Sequence, residues 1–284
     1  MMFNQVQRAF RSSMTQTDVL ESGRAVTDML ARELAQMTPC HLSYTNTNTP
    51  TLNFMAQLSD DFTNCVLQDL PGTSDMAGPN TGPYHTNLVQ RFFFMTKSNA
   101  TYIGTGYRVV PDFPDPTQSG LGTLGTLYRY SVATNKYSAA TLASSFFNAS
   151  QFPTNSSMHR IADGVVHLRL QAFDTNGAPM FYTNNYLSFW GTNSAQKIPW
   201  VNVTNSFGAQ DFGPSMKYWF YSNAVPAYLE LEIGFLEPHM VERYRALAEA
   251  NVPAARSYLA SRTANVHIFR QRIPIRSVDY SAYQ

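Results

Sequence analysis

The hydrophobic repeat of this chain changes once, at Pro39, and that change limits what the chain can fold into. Residues 1–37 contain no proline and a single glycine, Gly23. Phe3, Val6, Phe10 and Met14 step by three or four, and so do Val26, Met29 or Leu30, Leu34 and Met37, with Val19 between the two sets. This spacing predicts one long amphipathic helix over residues 4–37, carrying a single apolar stripe. Arg24, Asp28 and Arg32 alternate in sign four residues apart, as on a solvated helix face. At about 1.5 Å per residue the helix would be about 50 Å long. It must stop before Pro39, because proline forces the preceding residue out of the helical region. One small domain does not cover a helix of that length, so its N-terminal half is expected to project or to meet a partner.

Beyond Pro39 the period becomes two. Leu52 to Ser59, Gln90 to Thr96, Thr101 to Val110 and Gly125 to Val132 read as strands, separated by Gly, Pro, Asn and Asp clusters. From Gly164 to Phe173, Val166, Leu168, Leu170 and Ala172 share one face, while His167, Arg169 and Gln171 share the other. Ala227 to Phe235 repeats the pattern, with Leu229, Leu231, Ile233 and Phe235 inward and Glu230 and Glu232 outward. Both fit an antiparallel sheet with one solvated face. Pro238 suits a helix start. Val241, Tyr244, Leu247 and Ala248 give that helix, near 239–250, its apolar stripe, and Pro253 is expected to break or kink it. Val266 to Ile275 reads as a final strand. The expected class is therefore α+β: a long N-terminal helix, 1–38, packed on a head of antiparallel sheets, 39–284, with one further helix.

Composition narrows the function. With 20 basic and 19 acidic residues the net charge is +1, which gives no broad field for nucleic acid or for an anionic membrane. Charged residues make up 14%, against about 25% in ordinary soluble domains. Aromatics at 13% and uncharged polar residues take their place, a surface suited to strands and long loops outside the cytoplasm. There is no run of 18 or more apolar residues to span a bilayer. Gly120, Gly122 and Gly125 match the dinucleotide fingerprint, but a Pro-rich loop precedes them and an alternating segment follows, where a strand and then a helix are required. The six histidines show no zinc spacing, and Asp112 and Asp115 lack a calcium-loop pattern. Neither a nucleophile elbow nor a Cys/His signature is present. The reading is accordingly no enzyme, no cofactor and no metal. Cys40 and Cys65, at a hairpin-like separation, allow one disulfide.

Four segments, in this order, resemble a J-type minor pseudopilin of the type IV pilin-like class: Val19 to Gln36 (VLESGRAVTDMLARELAQ), Ala162 to Leu170 (ADGVVHLRL), Ser222 to Phe235 (SNAVPAYLELEIGF) and Val266 to Ile275 (VHIFRQRIPI). The last is most similar to the branch called Verru_Chthon cassette protein C. The resemblance implies a structural subunit of a type II secretion or type IV pilus-like assembly, periplasmic or at the cell surface. Its partners would be other pseudopilin subunits, met through helix positions Phe3, Val6, Phe10, Met14, Val19, Val26, Leu30 and Leu34. Such families are anchored in the inner membrane by an apolar segment that does not occur in this chain, and Met1 to Gln5 resembles the point where it would end. The alternative is an extracellular binding module or coat or shell protein, with Trp190, Trp200 or Trp219 stacking on a glycan.

Overall fold

The computed structural model describes residues 2–40, 51–59, 67–69, 84–86, 88–112, 124–151, 156–180, 201–205, 216–262 and 265–283. Helix α1 covers Met2–Leu34. It closes through a short turn in which the Met37 amide donates to the Leu34 carbonyl, and the Thr38 amide then bonds to the Met95 carbonyl. Among the described residues eleven strands follow: β1 Leu52–Leu58, β2 Leu67–Asp69, β3 Tyr84–Thr86, β4 Gln90–Ser98, β5 Thr101–Pro111, β6 Gly125–Asn135, β7 Met158–Phe173, β8 Val201–Asn205, β9 Met216–Tyr221, β10 Tyr228–Leu236 and β11 Val266–Pro274. Between them lie α2 Leu142–Gln151, α3 Pro238–Ala250 and α4 Val252–Ala260.

Nine strands form one sheet in the order β11-β10-β7-β6-β5-β4-β1-β9-β8, with every neighbouring pair antiparallel. Its middle is a meander of neighbours in sequence. Ser98 pairs with Thr101 across a two-residue turn, which Asn99 makes possible by taking φ 54°.

The sheet curls into a half-barrel, and one seam explains the curl. Strand β7 pairs with β6 only from Met158 to Val165. Past that point its free side is met by the start of β4, where Val89 bridges Leu168 in parallel. The Leu168 amide donates to the Leu88 carbonyl at 2.8 Å, the Leu88 amide to His167 Nδ1 at 3.0 Å and the Leu170 amide to Gln90 Oε1 at 2.6 Å. Strands three places apart in the sheet, with β6 and β5 between them, are thereby brought edge to edge.

Three apolar cores result. The main one lies between α1 and the sheet and joins Leu30, Leu34, Phe54, Phe92, Leu168, Leu231 and Ile233. A second seats α2, through Phe146, on Phe93, Met95 and Tyr130. The third seats α3 and α4, through Tyr244 and Leu259, on Val166 and Leu236.

The expected class is corrected by this architecture. The chain is not a long stem helix carrying a head with one further helix. It is a nine-stranded antiparallel sheet, curled on itself, with helices as covering layers. The helix stripe from Val19 onward is spent on the main core, so that half of α1 belongs to the sheet's own body. Helix α2 was not anticipated. Nor was α4 as a separate helix: the expected break falls at Asn251, and the chain turns helical again at once, with Pro253 in the first turn of α4 and Asn251 capping it by accepting from the Ala254 amide at 3.1 Å.

Candidate functional site

The positions expected to meet a partner divide in two. Val19, Leu30 and Leu34 are buried in the main core and Val26 packs against it, so these four are core positions of this chain and not a free partner surface. The glycine at position 23 lets the helix approach closely, since a Cβ there would overlap the Phe269 ring of β11. The side chains of Phe3, Val6, Phe10 and Met14 lie outside the described residues, although their backbone belongs to α1.

Helix geometry also corrects the single stripe. At about 100° per residue, positions 3, 6, 10 and 14 centre about 160° round the axis from 19, 30 and 34. Counting threes and fours within each set hid the break, because the five-residue step from Met14 to Val19 moves the pattern to the far side.

A polar lock fixes the rotation of α1 on the sheet. Glu33 accepts from the Tyr107 hydroxyl at 2.7 Å and from Arg129 Nε at 3.1 Å, and the Arg129 guanidinium closes a second contact at 3.0 Å. Burial, reinforced by the carboxylate beside it, raises the Tyr107 hydroxyl well above the ordinary phenol range. Tyr107 therefore stays a donor, and the lock holds in one direction.

On the other face of β7, β10 and β11 a charged ladder runs across three strands. Glu232 pairs in register with Arg169 on one side and Arg270 on the other, and in the next row Glu230 pairs with Gln171 and Arg272. Glu232 Oε2 lies 3.4 Å from both His167 Nε2 and Arg169, and Arg270 completes the set. The hydrogen bond from His167, helped by the two guanidinium groups against the cost of burial, lowers the Glu232 carboxyl to about 2. The expectation of a solvated face is corrected here, since His167 is 1% and Glu232 4% exposed. The Leu88 amide reaches His167 Nδ1 from across the seam, a contact that local alternation cannot reveal.

Other candidates resolve into structure. Cys40 is a free, buried thiol that burial pushes up to about 12, while Cys65, its expected partner, lies outside the described residues. Asp112 is held by Arg245 at 2.8 Å, and Asp115 lies outside the described residues. Trp219 stacks with Phe147 at 6.3 Å and Tyr221 at 6.4 Å, and Trp190 and Trp200 are outside the described residues. Among the described residues no cluster of His, Cys, Asp or Glu is placed to hold a metal ion, and no helix is long and apolar enough to cross a membrane. No family model, no curated protein and no solved structure matches the chain, so the likeness to pseudopilins stands on the sequence segments themselves.

Proposed function

We propose that this chain is a non-enzymatic structural subunit of a type II secretion or type IV pilus-like assembly, placed in the periplasm or at the cell surface. It joins sibling pseudopilin subunits by helix packing, with contacts between the sheet-built bodies as a second element. The observation that carries this reading is the phase of α1. Its docked stripe, Val19 to Leu34, is committed to the sheet, whereas the apolar positions 3, 6, 10 and 14 centre on the opposite side of the same helix. Bundle or coiled-coil packing is the simplest way to bury such a stripe.

The experiment replaces Phe3, Val6 and Phe10 together with Ser and measures self-association by sedimentation and co-purification with co-expressed sibling pseudopilin-like subunits. The reading expects both to fall while circular dichroism and thermal unfolding stay unchanged. Association that persists in the folded variant overturns it. Unfolding of the sheet overturns it as well, since the stripe would then be internal core.

A further inference from the structure

We infer that the open edge of β11 is a docking site for an extended acidic segment of another protein, taken up as a tenth strand. The inference is independent of the helix-packing reading, because it uses a different element and a different chemistry.

The edge is open by register. Among the described residues, strand β11 ends the sheet order, with β10 as its one strand neighbour. The Ile275 amide donates to the Ala227 carbonyl, which sets the phase of the ladder. Ile273, Gln271 and Phe269 turn their amides toward β10, and Arg272, Arg270 and Ile268 turn theirs outward. Pro274 falls in the outward phase, the position where a strand tolerates a missing N–H. Three consecutive outward donors, with the carbonyls between them, form a template for one more strand.

Charge then selects the occupant. The segment 266–276 carries Arg270, Arg272, Arg276 and His267 and no carboxylate. The side chains beside the outward amides are Ile268, 49% exposed, Arg270, 65% exposed in its side chain, and Arg272. The Arg272 guanidinium lies over the Phe173 ring at 4.7 Å and the Tyr228 ring at 5.0 Å. These rings hold the cation at the sheet surface, and although Glu230 faces it across the strand pair, among the described residues no carboxylate closes an ion pair with it. Opposite charges on facing strands attract and like charges repel. A second copy of this chain is disfavoured for that reason, since the antiparallel register that uses all three amides of both copies sets Arg270 against Arg270. A strand with Glu or Asp at alternate positions, opposite Arg270 and Arg272, meets both the backbone and the charge.

The test uses the full chain and two synthetic peptides of about ten residues, one alternating Glu and Val, the other alternating Lys and Val. Amide exchange is followed by nuclear magnetic resonance. The Glu peptide is expected to slow exchange at Ile268, Arg270 and Arg272 by about tenfold while leaving Phe269 and Gln271, already bonded to β10, unchanged. The double change Arg270→Glu and Arg272→Glu should weaken that peptide by about tenfold or more and make the Lys peptide the better ligand. Ile268→Pro removes one outward donor without touching the β10 ladder and should weaken both. No protection at these amides with millimolar Glu peptide overturns the proposal, as does equal protection by both peptides. Protection that grows with protein concentration alone replaces the acidic strand with a second copy. Unchanged binding to a folded Ile268→Pro variant removes the edge from consideration.

Discussion

Strands β7, β10 and β11 show two faces on one set of backbone bonds, and the faces are built by different physics. On the α1 side, Leu168, Leu170, Leu229, Leu231, Ile233 and Ile273 are almost wholly buried. Each large side chain there contributes roughly 1.5–3 kcal/mol through area removed from water. On the other side the same strands carry Arg169, Gln171, Glu230, Glu232, Arg270 and Arg272. The guanidinium groups there reach solvent, where an ion pair is worth about 0–1 kcal/mol. The pairing of the buried Glu232 mostly offsets the cost of its own burial, so that face adds less to the total stability. What it adds is register. A slip of one residue would carry Glu232 to the core side and Leu231 to the ladder side. One face gives the sheet its free energy and the other fixes which alignment receives it.

The difference can be broken most forcibly from the apolar side. Leu231→Ala should cost about 2–5 kcal/mol, read as a lower urea midpoint at unchanged slope. A loss below about 1 kcal/mol would mean that the buried face is not the main source of stability.

Glu232→Ala should cost less, about 2 kcal/mol, because it leaves Arg169 and the buried His167 without their carboxylate. The pH dependence has a definite sign. Folding lowers the Glu232 carboxyl from its ordinary 4.5 to about 2, so the unfolded chain binds that proton more tightly. The contribution is therefore complete above about 4.5 and is lost as pH falls toward about 2. Glu232→Gln should flatten the fall of the urea midpoint across that acid window. An identical fall in the variant would mean that other carboxylates carry it.

Gly23→Ala tests how tightly α1 sits on β11. The added methyl meets the Phe269 ring, and overpacking of this kind costs about 1–3 kcal/mol. Phe269→Leu in the same chain should recover part of the loss, and strict additivity in the double-mutant cycle would deny the contact. The smallest effect belongs to Arg272→Ala. Loss of its two ring contacts should cost about 0.5–1 kcal/mol, close to the resolution of thermal melts. A cost above about 2 kcal/mol would show that the polar face stabilises more than its ion pairs allow.

The strands with clean alternation were legible in the sequence. Leu52, Gln90, Thr101, Gly125 and Val266 each open a strand where the period of two begins. Four strands were missed: Leu67–Asp69 and Tyr84–Thr86, three residues each, are too short to show a period, and two others were missed for a physical reason. Met216–Tyr221 is MKYWFY, a nearly continuous aromatic run whose faces cannot be told apart by alternation, because Tyr218 and Phe220 are buried and Trp219 is half-buried. Val201–Asn205, its partner, is too short to show a period. Helix α2, LASSFFNASQ, is rich in Ser and Asn, which weaken the helical signal, and it forms because Phe146 packs on the sheet. Alternation told apart the two faces of β10, and those of β7 from Leu168 onward, but it misplaced Val166, which a bulge turns into the α3–α4 core, and it did not show which polar residues were covered. His167 accepts from the amide of Leu88, 79 residues earlier, and no local pattern reports so distant a neighbour. The helix was legible as a helix. That its apolar positions form two sets on opposite sides required measuring phase over its whole length.

The seam between Leu88–Gln90 and His167–Leu170 has a consequence for the order of folding events. Its bonds join residues 79 and 80 apart, whereas β4 to β6 are joined by pairings close in sequence. Closing so long a loop costs entropy before any contact returns it, so the flat meander can assemble first and roll up afterwards. In the native state the same seam is the place where the half-barrel can unroll while the meander pairings from β4 through β7 stay intact. Such an opening would uncover His167 and the Leu168 and Leu170 amides together, as one cooperative unit with a free energy below that of global unfolding.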